Sequence, residues 1–229
     1  VVLCSSLTRP EHLGPVHGLI FDCDGVLFDS LESNRIYYNA ILDKLGLGPM
    51  DEEQERFVHM HTAAQSLRHI VPQERWAEID GAVARVDYGE EILPHLKPEP
   101  GLYALLDWLR GTGVRMAVST NRSTTMGMVS RRFGLEHYFW PILDARKVRA
   151  KPHPEGVNAI LGKWGMDRSR TAYIGDSSVD ENTARAGGVR FWAYKNPHLT
   201  AHLHVPDFPT LHGCLKRIRG QGDVCLCRR

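Results

Sequence analysis

A run of apolar residues that ends in paired acids governs what this chain can become. It reads Gly18-Leu19-Ile20-Phe21-Asp22-Cys23-Asp24-Gly25-Val26-Leu27-Phe28-Asp29-Ser30. Leu19, Ile20 and Phe21 show no polar alternation, which is the pattern of a parallel strand buried on both faces. Asp22 and Asp24 follow directly, and side chains two apart on an extended chain point to the same side. Two carboxylates so placed repel each other, and one stays protonated unless a cation intervenes. A hard divalent cation such as Mg2+ takes oxygen ligands and removes that conflict. Gly25 lets the backbone turn closely past whatever sits there. Alone, Asp-x-Asp-Gly reads more readily as a polar turn after a core strand, so the weight falls on what the rest of the chain adds.

Residues 1–15 read as an irregular arm with Pro10 and Pro15 as breakers. The first strand spans 16–21. Ser30, with Ser33 as the second choice, caps a helix running to Leu45, which Gly46, Gly48 and Pro49 end. Residues 51–96 carry only helical pattern. Asp51 caps a helix through Phe57 or beyond, Thr62 caps a second, and a longer helical stretch runs over 73–93 with Trp76, Ile79, Val83 and Val86 as its apolar stripe. After Gly101 helices and strands alternate: helix 102–109, strand 114–120, helix 123–133, strand 142–144, helix 154–164, strand 171–176, helix 179–186, strand 190–195 and helix 211–218. This alternation predicts an α/β fold, a doubly wound parallel sheet, with an inserted all-α segment. The expected division is a discontinuous core of residues 1–29 and 97–229 and a helical cap of residues 30–96, with hinges near 28–30 and 97–100.

Composition removes several function classes. A net charge of +1 with no long run of one sign leaves no electrostatic footprint for nucleic acid or anionic lipid. No apolar run is long enough to span a bilayer. Five cysteines, odd in number and sparsely spaced, do not suggest a disulfide framework, and the expected compartment is the cytoplasm. Cys225-x-Cys227 is read as part of a flexible tail rather than a metal or redox motif. Cys23, between the two acids, is read as a buried apolar filler.

In an open parallel sheet, ligands collect beyond the carboxyl ends of the strands. There the first strand delivers Asp22 and Asp24, and the second delivers Thr120 and Asn121. Lys151 follows the short third strand, and the fourth delivers Asp176 with Asp180 four residues on. Thr120 alone is more often a helix cap, Lys151 alone a solvated lysine and Asp176 before two serines a helix-capping pattern. Together, in this order, they resemble the four motifs of the haloacid dehalogenase-like superfamily: Asp22-x-Asp24-Gly25-Val26-Leu27-x-Asp29-Ser30, Thr120-Asn121, Lys151-Pro152 and Gly175-Asp176-Ser177-x-x-Asp180. The resemblance covers roughly residues 16–195. The helical insert is similar to the cap of the phosphoglycolate phosphatase and beta-phosphoglucomutase branch.

That resemblance implies a Rossmann-like core and a Mg2+-dependent phosphatase acting on a small phosphomonoester through an aspartyl phosphate. Asp22 would be the nucleophile and Asp24 the general acid and then base. Thr120 would bind a phosphoryl oxygen, chosen over Ser119 because an Asn follows it, and the Asn121 region would supply further donors. Lys151 would neutralise charge on Asp22 and on the phosphoryl group. Mg2+ would bind the carboxylates of Asp22 and Asp176 and the backbone carbonyl of Asp24, with Asp180 behind them orienting Lys151 or a metal-bound water. The implied partner is a small phosphorylated metabolite, with no nucleic acid and no membrane, and the chain a monomer or homodimer. A phosphosugar mutase of the beta-phosphoglucomutase type is the alternative. A dehalogenase needs no second acid two residues on, so Asp24 argues against it, and a receiver domain lacks the helical insert. The segment Val58-His59-Met60-His61-Thr62 lacks the glycine expected of a specificity loop, and His61 and Thr62 are read as a solvated side chain and a helix cap rather than as groups that reach the substrate.

Overall fold

A computed structural model describes residues 2–5 and 7–220 of the chain. The Cys225/Cys227 pair lies outside the described residues. The helices are α1 (Pro10–Leu13), α2 (Leu31–Lys44), α3 (Glu52–Met60), α4 (Ala63–Ile70), α5 (Ile79–Val83), α6 (Leu102–Thr112), α7 (Met126–Phe133), α8 (Glu155–Trp164), α9 (Ser178–Gly187) and α10 (Phe208–Gly220). The strands are β1 (Gly18–Phe21), β2 (Phe28–Asp29), β3 (Lys97–Pro98), β4 (Arg115–Ser119), β5 (Ile142–Leu143), β6 (Thr171–Gly175), β7 (Arg190–Tyr194) and β8 (Leu203–Val205). Six of these strands form one parallel sheet in the order β5-β4-β1-β6-β7-β8. The expected doubly wound α/β fold is what the chain adopts.

Strand β1 lies inside the sheet, with Leu19 opposite Met116 of β4 and Ala172 of β6. All four of its residues are buried, as a strand covered on both faces requires. Its side chains alternate between two cores. Leu19 and Phe21 join the larger cluster, with Leu105, Leu106 and Leu109 of α6, Val129 of α7 and Leu211 and Leu215 of α10. Ile20 joins the smaller one, with Val157, Ile160 and Leu161 of α8 and Ala184 of α9. From β1 the chain winds first towards β4 and β5 and later towards β6, β7 and β8. The winding direction therefore reverses at β1, and such a reversal opens a crevice at the strand's carboxyl end.

Between β2 and β3 the chain is helical or irregular, and these two short strands pair antiparallel, Phe28 with Pro98 and Asp29 with Lys97. The pairing draws together both ends of the helical insert. Glu99, just beyond, is buried and accepts hydrogen bonds from Tyr194 Oη at 3.1 Å and Lys195 Nζ at 2.6 Å, while its N–H donates to Leu27 O. Asp51 caps α3 by accepting from the N–H groups of Glu53 and Gln54, and Thr62 caps α4 by accepting from that of Gln65. Ser30 sits at the N-cap of α2 without a side-chain cap bond, while Ser33 Oγ donates to Ser30 O.

Four expectations change. The stretch 73–93 is not one helix: it comprises a 3-10 turn at Gln73–Glu78, the short α5, a wide π turn at Tyr88–Ile92 and a 3-10 turn at Leu93–His95. Gly81 and Gly89 weaken a continuous helix, and Pro94 cannot donate within one. Trp76, assigned to the apolar stripe, is 39% exposed. Pro10 begins a helix rather than breaking one, because a first helical turn needs no N–H from that position. Strand β8 is an addition at the sheet edge, paired to β7.

Candidate active site

The carboxyl ends of β1, β4 and β6 converge on a small chamber of about 60 Å³ lined by Asp22, Asp24, Thr120, Asn121, Lys151 and Asp176, among others. The loop after β1 makes this possible. Asp22 N donates to Ile174 O, and the N–H groups of Leu27 and Phe28 both fold back to Cys23 O, so the chain turns within a few residues. Gly25 takes φ +72° there, and a Cβ on it would lie 2.1 Å from Asp176 Oδ2. A side chain would pay about 1–2 kcal/mol in that conformation before any collision. Gly25→Ala is expected to lower the melting midpoint by at least about 3–6 °C at this chain length, measurable by thermal unfolding.

Charge organises the chamber. Lys151, 7% exposed, places Nζ 2.7 Å from Asp22 Oδ1 and 2.6 Å from Asp180 Oδ1. Lys151 is the cation that meets the buried Asp22 Oδ1. Burial, then the charge of Asp180, push the Asp22 carboxyl well above the usual carboxylate range, against the pull of Lys151. Asp180 is fixed from several sides. Its Oδ2 accepts from Ser177 Oγ at 2.6 Å in the capping box of α9, and its Oδ1 accepts from Tyr173 Oη at 3.2 Å. Asp180 thus holds Lys151 against Asp22.

The Asn121 side chain donates to Lys151 O and accepts from Lys151 N at 2.8 Å, so it clamps the lysine's backbone while it also lines the chamber. Thr120 lines the chamber, whereas Ser119 Oγ faces Gly156 of α8 on the other side of the strand. That alternation favours Thr120 over Ser119 as the group open to a ligand. Cys23 is fully buried away from the acids' cavity, in the larger core cluster.

Two partners of the acids were not predicted. Arg122 Nη2 lies 2.6 Å from Asp24 Oδ1, and its Nη1 meets the Tyr88 hydroxyl from the helical insert. Burial works against ionised Asp24, but the guanidinium outweighs it and holds the carboxyl below its usual range. His59, not His61, reaches the acids, with Nε2 3.6 Å from Asp176 Oδ2 and Nδ1 3.3 Å from the Asn34 amide. Burial lowers the His59 pKa, yet Asp176 and the other acids raise it above the ordinary value. His61 stacks on Phe57 with ring centroids 3.8 Å apart and bonds Phe57 O, although it too borders the chamber, and Thr62 is the cap of α4. Arg122 lies in the bend after β4, where its N–H donates to Thr120 Oγ1, and no strand alternation signals it; nothing local distinguishes His59 from His61.

Among the described residues, Asp22, Asp176 and Asp180 bring carboxylate oxygens within 4.8 Å of one another. Asp180 is engaged with Lys151, Tyr173 and Ser177, which leaves Asp22 and Asp176 as the available oxygens. Asp22 and Asp176 both have their pKa raised, by burial first and then, for Asp22, by the charge of Asp180. Crowded, partly desolvated carboxylates fit a hard dication, whose charge offsets the repulsion.

The family model described as haloacid dehalogenase-like hydrolase matches residues 19–194. The phosphoglycolate phosphatase of Chromobacterium violaceum is 28% identical over 187 residues, covering 77% of this chain and 84% of that protein. Hexitol phosphatase A of Escherichia coli is 27% identical over 215 residues, covering 91% and 98% respectively. Among solved structures, a HAD-superfamily hydrolase of subfamily IA, variant 1, from Geobacter sulfurreducens superposes with a TM-score of 0.75 at 36% identity, covering 86% of this chain and 97% of that one. No helix among the described residues is long and apolar enough to cross a membrane.

Proposed function

The chain belongs to the haloacid dehalogenase-like hydrolase family, and from that premise we propose that it is a Mg2+-dependent phosphatase that hydrolyses a small phosphomonoester through a phosphoryl group carried on Asp22. The carrying observation is Asp22 itself: a buried carboxylate at the end of β1, 2.7 Å from Lys151 and within 4.8 Å of a carboxylate oxygen of Asp176. Its relatives named phosphoglycolate phosphatase and hexitol phosphatase support phosphate esters as the substrate class.

In this reading Asp22 Oδ attacks phosphorus, and the bond to the ester oxygen breaks. Lys151 offsets charge on the attacking carboxylate and on the phosphoryl oxygens, with Asn121 and Asp180 fixing its position. The Thr120 hydroxyl, which accepts the N–H of Arg122 at 3.1 Å, donates its proton to a phosphoryl oxygen. Asp24 protonates the departing oxygen and later takes a proton from the water that hydrolyses the acyl phosphate. Held ionised by Arg122, Asp24 is in the state of a base. Proton donation requires that contact to open, and Tyr88 connects it to the helical insert. Asp22 and Asp176, with the Asp24 carbonyl, would hold Mg2+, which supplies charge stabilisation for the phosphoryl group.

Residues 30–96 act as a lid in this proposal. Asn34, Tyr37, His59 and Tyr88 come from that insert to line the chamber, and closure over it excludes bulk water and polymers. A panel of phosphomonoesters assayed for free phosphate, with and without Mg2+, tests the reading. Excess chelator is expected to abolish phosphate release and added Mg2+ to restore it, with Asp176→Asn shifting the Mg2+ requirement upward. Undiminished hydrolysis in chelator would overturn the metal assignment. Conversion of a hexose 1-phosphate to its 6-phosphate without free phosphate would replace hydrolysis with mutase chemistry.

A further inference from the structure

The amino-terminal arm and the last helix bring two thiols together at the sheet edge away from β1. Leu3 bridges His204 of β8 in parallel, the N–H of Cys4 donates to His204 O at 2.7 Å and that of His204 donates to Val2 O at 2.8 Å. The arm therefore extends the sheet by a short stretch. Cys4 and Cys214 are both buried, at 2% and 4% exposure. Cys4 Sγ lies 4.0 Å from Thr210 O, the carbonyl that an α-helix pairs with the N–H of residue 214. The sulfur thus rests on the helical turn that carries Cys214. Arg217, three residues further along α10, donates Nη2 to Thr8 O at 2.5 Å and straps the arm to the helix. Thr8 Oγ1 in turn bonds Leu3 O and accepts from Ser5 N.

We propose that Cys4 and Cys214 form a redox-active dithiol that closes to a disulfide joining the amino-terminal arm to α10. The two sulfurs perturb each other's ionisation. The Cys4 thiol, with help from Thr8 and Arg217, pulls Cys214 down to about 7, while Cys214 and burial push Cys4 up. Arg217, three residues along the same helix, sets a cation beside Cys214 that favours a thiolate there, so Cys214 is the sulfur that attacks first and Cys4 the resolving thiol. With a hydroperoxide as oxidant, Cys214 sulfur attacks the peroxide oxygen, the O–O bond breaks and a sulfenic acid forms. Cys4 sulfur then attacks that sulfur, the S–O bond breaks and water leaves. Two thiols and one hydrogen peroxide give one disulfide and two waters, with two electrons passing from sulfur to oxygen. Access comes from the arm itself. Leu3 and Leu7 are 60% and 84% exposed, and the Val2–Cys4 segment meets β8 through the two backbone bonds named, at the edge of the sheet, where local opening is easiest.

The test is hydrogen peroxide titration of the full chain, blocking of free thiols with N-ethylmaleimide, and non-reducing peptide mapping. The expected product is a reducible Cys4–Cys214 linked peptide with the intact mass lowered by about 2 Da, from the two hydrogens lost. The oxidised protein should melt higher by on the order of 5–10 °C, because the bridge closes nearly the whole chain. The Cys4→Ser variant should lose both effects and leave a sulfenic acid on Cys214 that dimedone traps. Recovery of Cys4 and Cys214 as alkylated thiols after peroxide, or linkage of Cys214 to Cys225 or Cys227 instead, would overturn the proposal.

Discussion

Replacing Asp22 with Asn is expected to leave a folded protein that releases phosphate at least about 10⁴-fold more slowly, the scale on which removal of a nucleophile is felt. The amide keeps the shape of the side chain and loses the charge that must attack phosphorus. Stability should not fall. The wild-type carboxyl is buried and crowded by Asp180 and Asp176, which already disfavour its ionised form, and Lys151 keeps a second acid partner 2.6 Å away in Asp180. The variant should therefore melt at or above the wild-type temperature. Rapid quenching of the wild type with a phosphomonoester should trap a phosphoryl-protein that hydroxylamine cleaves, and the variant should give none. Normal turnover by Asp22→Asn would remove the nucleophile from its assigned place.

The site's backbone was legible because Asp22 and Asp176 follow buried parallel strands directly, with Asp180 in the helix after β6 and Lys151 in the segment after β5, and such strands announce themselves as short apolar runs. Leu19-Ile20-Phe21 and Ala172-Tyr173-Ile174 are local signals, and the polar residue after each run falls on the rim by necessity. Asp22, Lys151, Asp176 and Asp180 could thus be brought together before any coordinates. What stayed hidden depends on meetings across the chain. Arg122 and Asp24 are 98 residues apart, and Arg122 and Tyr88 are 34 apart. Whether His59 or His61 reaches the acids depends on where α3 ends. His59 lies in its last turn and points to Asp176, while His61 at the C-cap folds back onto Phe57. The clamp that the Asn121 side chain places on the backbone of Lys151, 30 residues away, is of the same kind. Strand β8 went unseen for a related reason: Leu203-His204-Val205 is too short to show a pattern, and it becomes a strand by pairing with Trp192, Ala193 and Tyr194.

Removing the other half of the central ion pair should act on stability and activity together. Lys151→Met keeps most of the side chain's bulk but leaves Asp22 and Asp180 without their shared cation. Breaking a buried pair from one side costs about 3–5 kcal/mol, which corresponds to roughly 6–20 °C in melting temperature for a chain of this size. Loss of the charge that faces the phosphoryl group should add at least about 10²–10³-fold in turnover. The pH dependence distinguishes lost charge from lost packing. Lys151 has its pKa raised, burial opposing and the two acids outweighing it, so its contribution is complete below the unfolded lysine value and stays so throughout the neutral range. Asp22 behaves oppositely. Its folded pKa is already raised, and without Lys151 it rises further, because Lys151 is the group that pulls it down. An acid raised in the folded state binds more protons folded than unfolded, so stability increases as pH falls through the raised value. In metal-free buffer the deficit of Lys151→Met relative to wild type should therefore shrink as pH falls from 8 to 5. A deficit that is the same at every pH would mean that packing of the lysine stem, not its charge, holds this centre together.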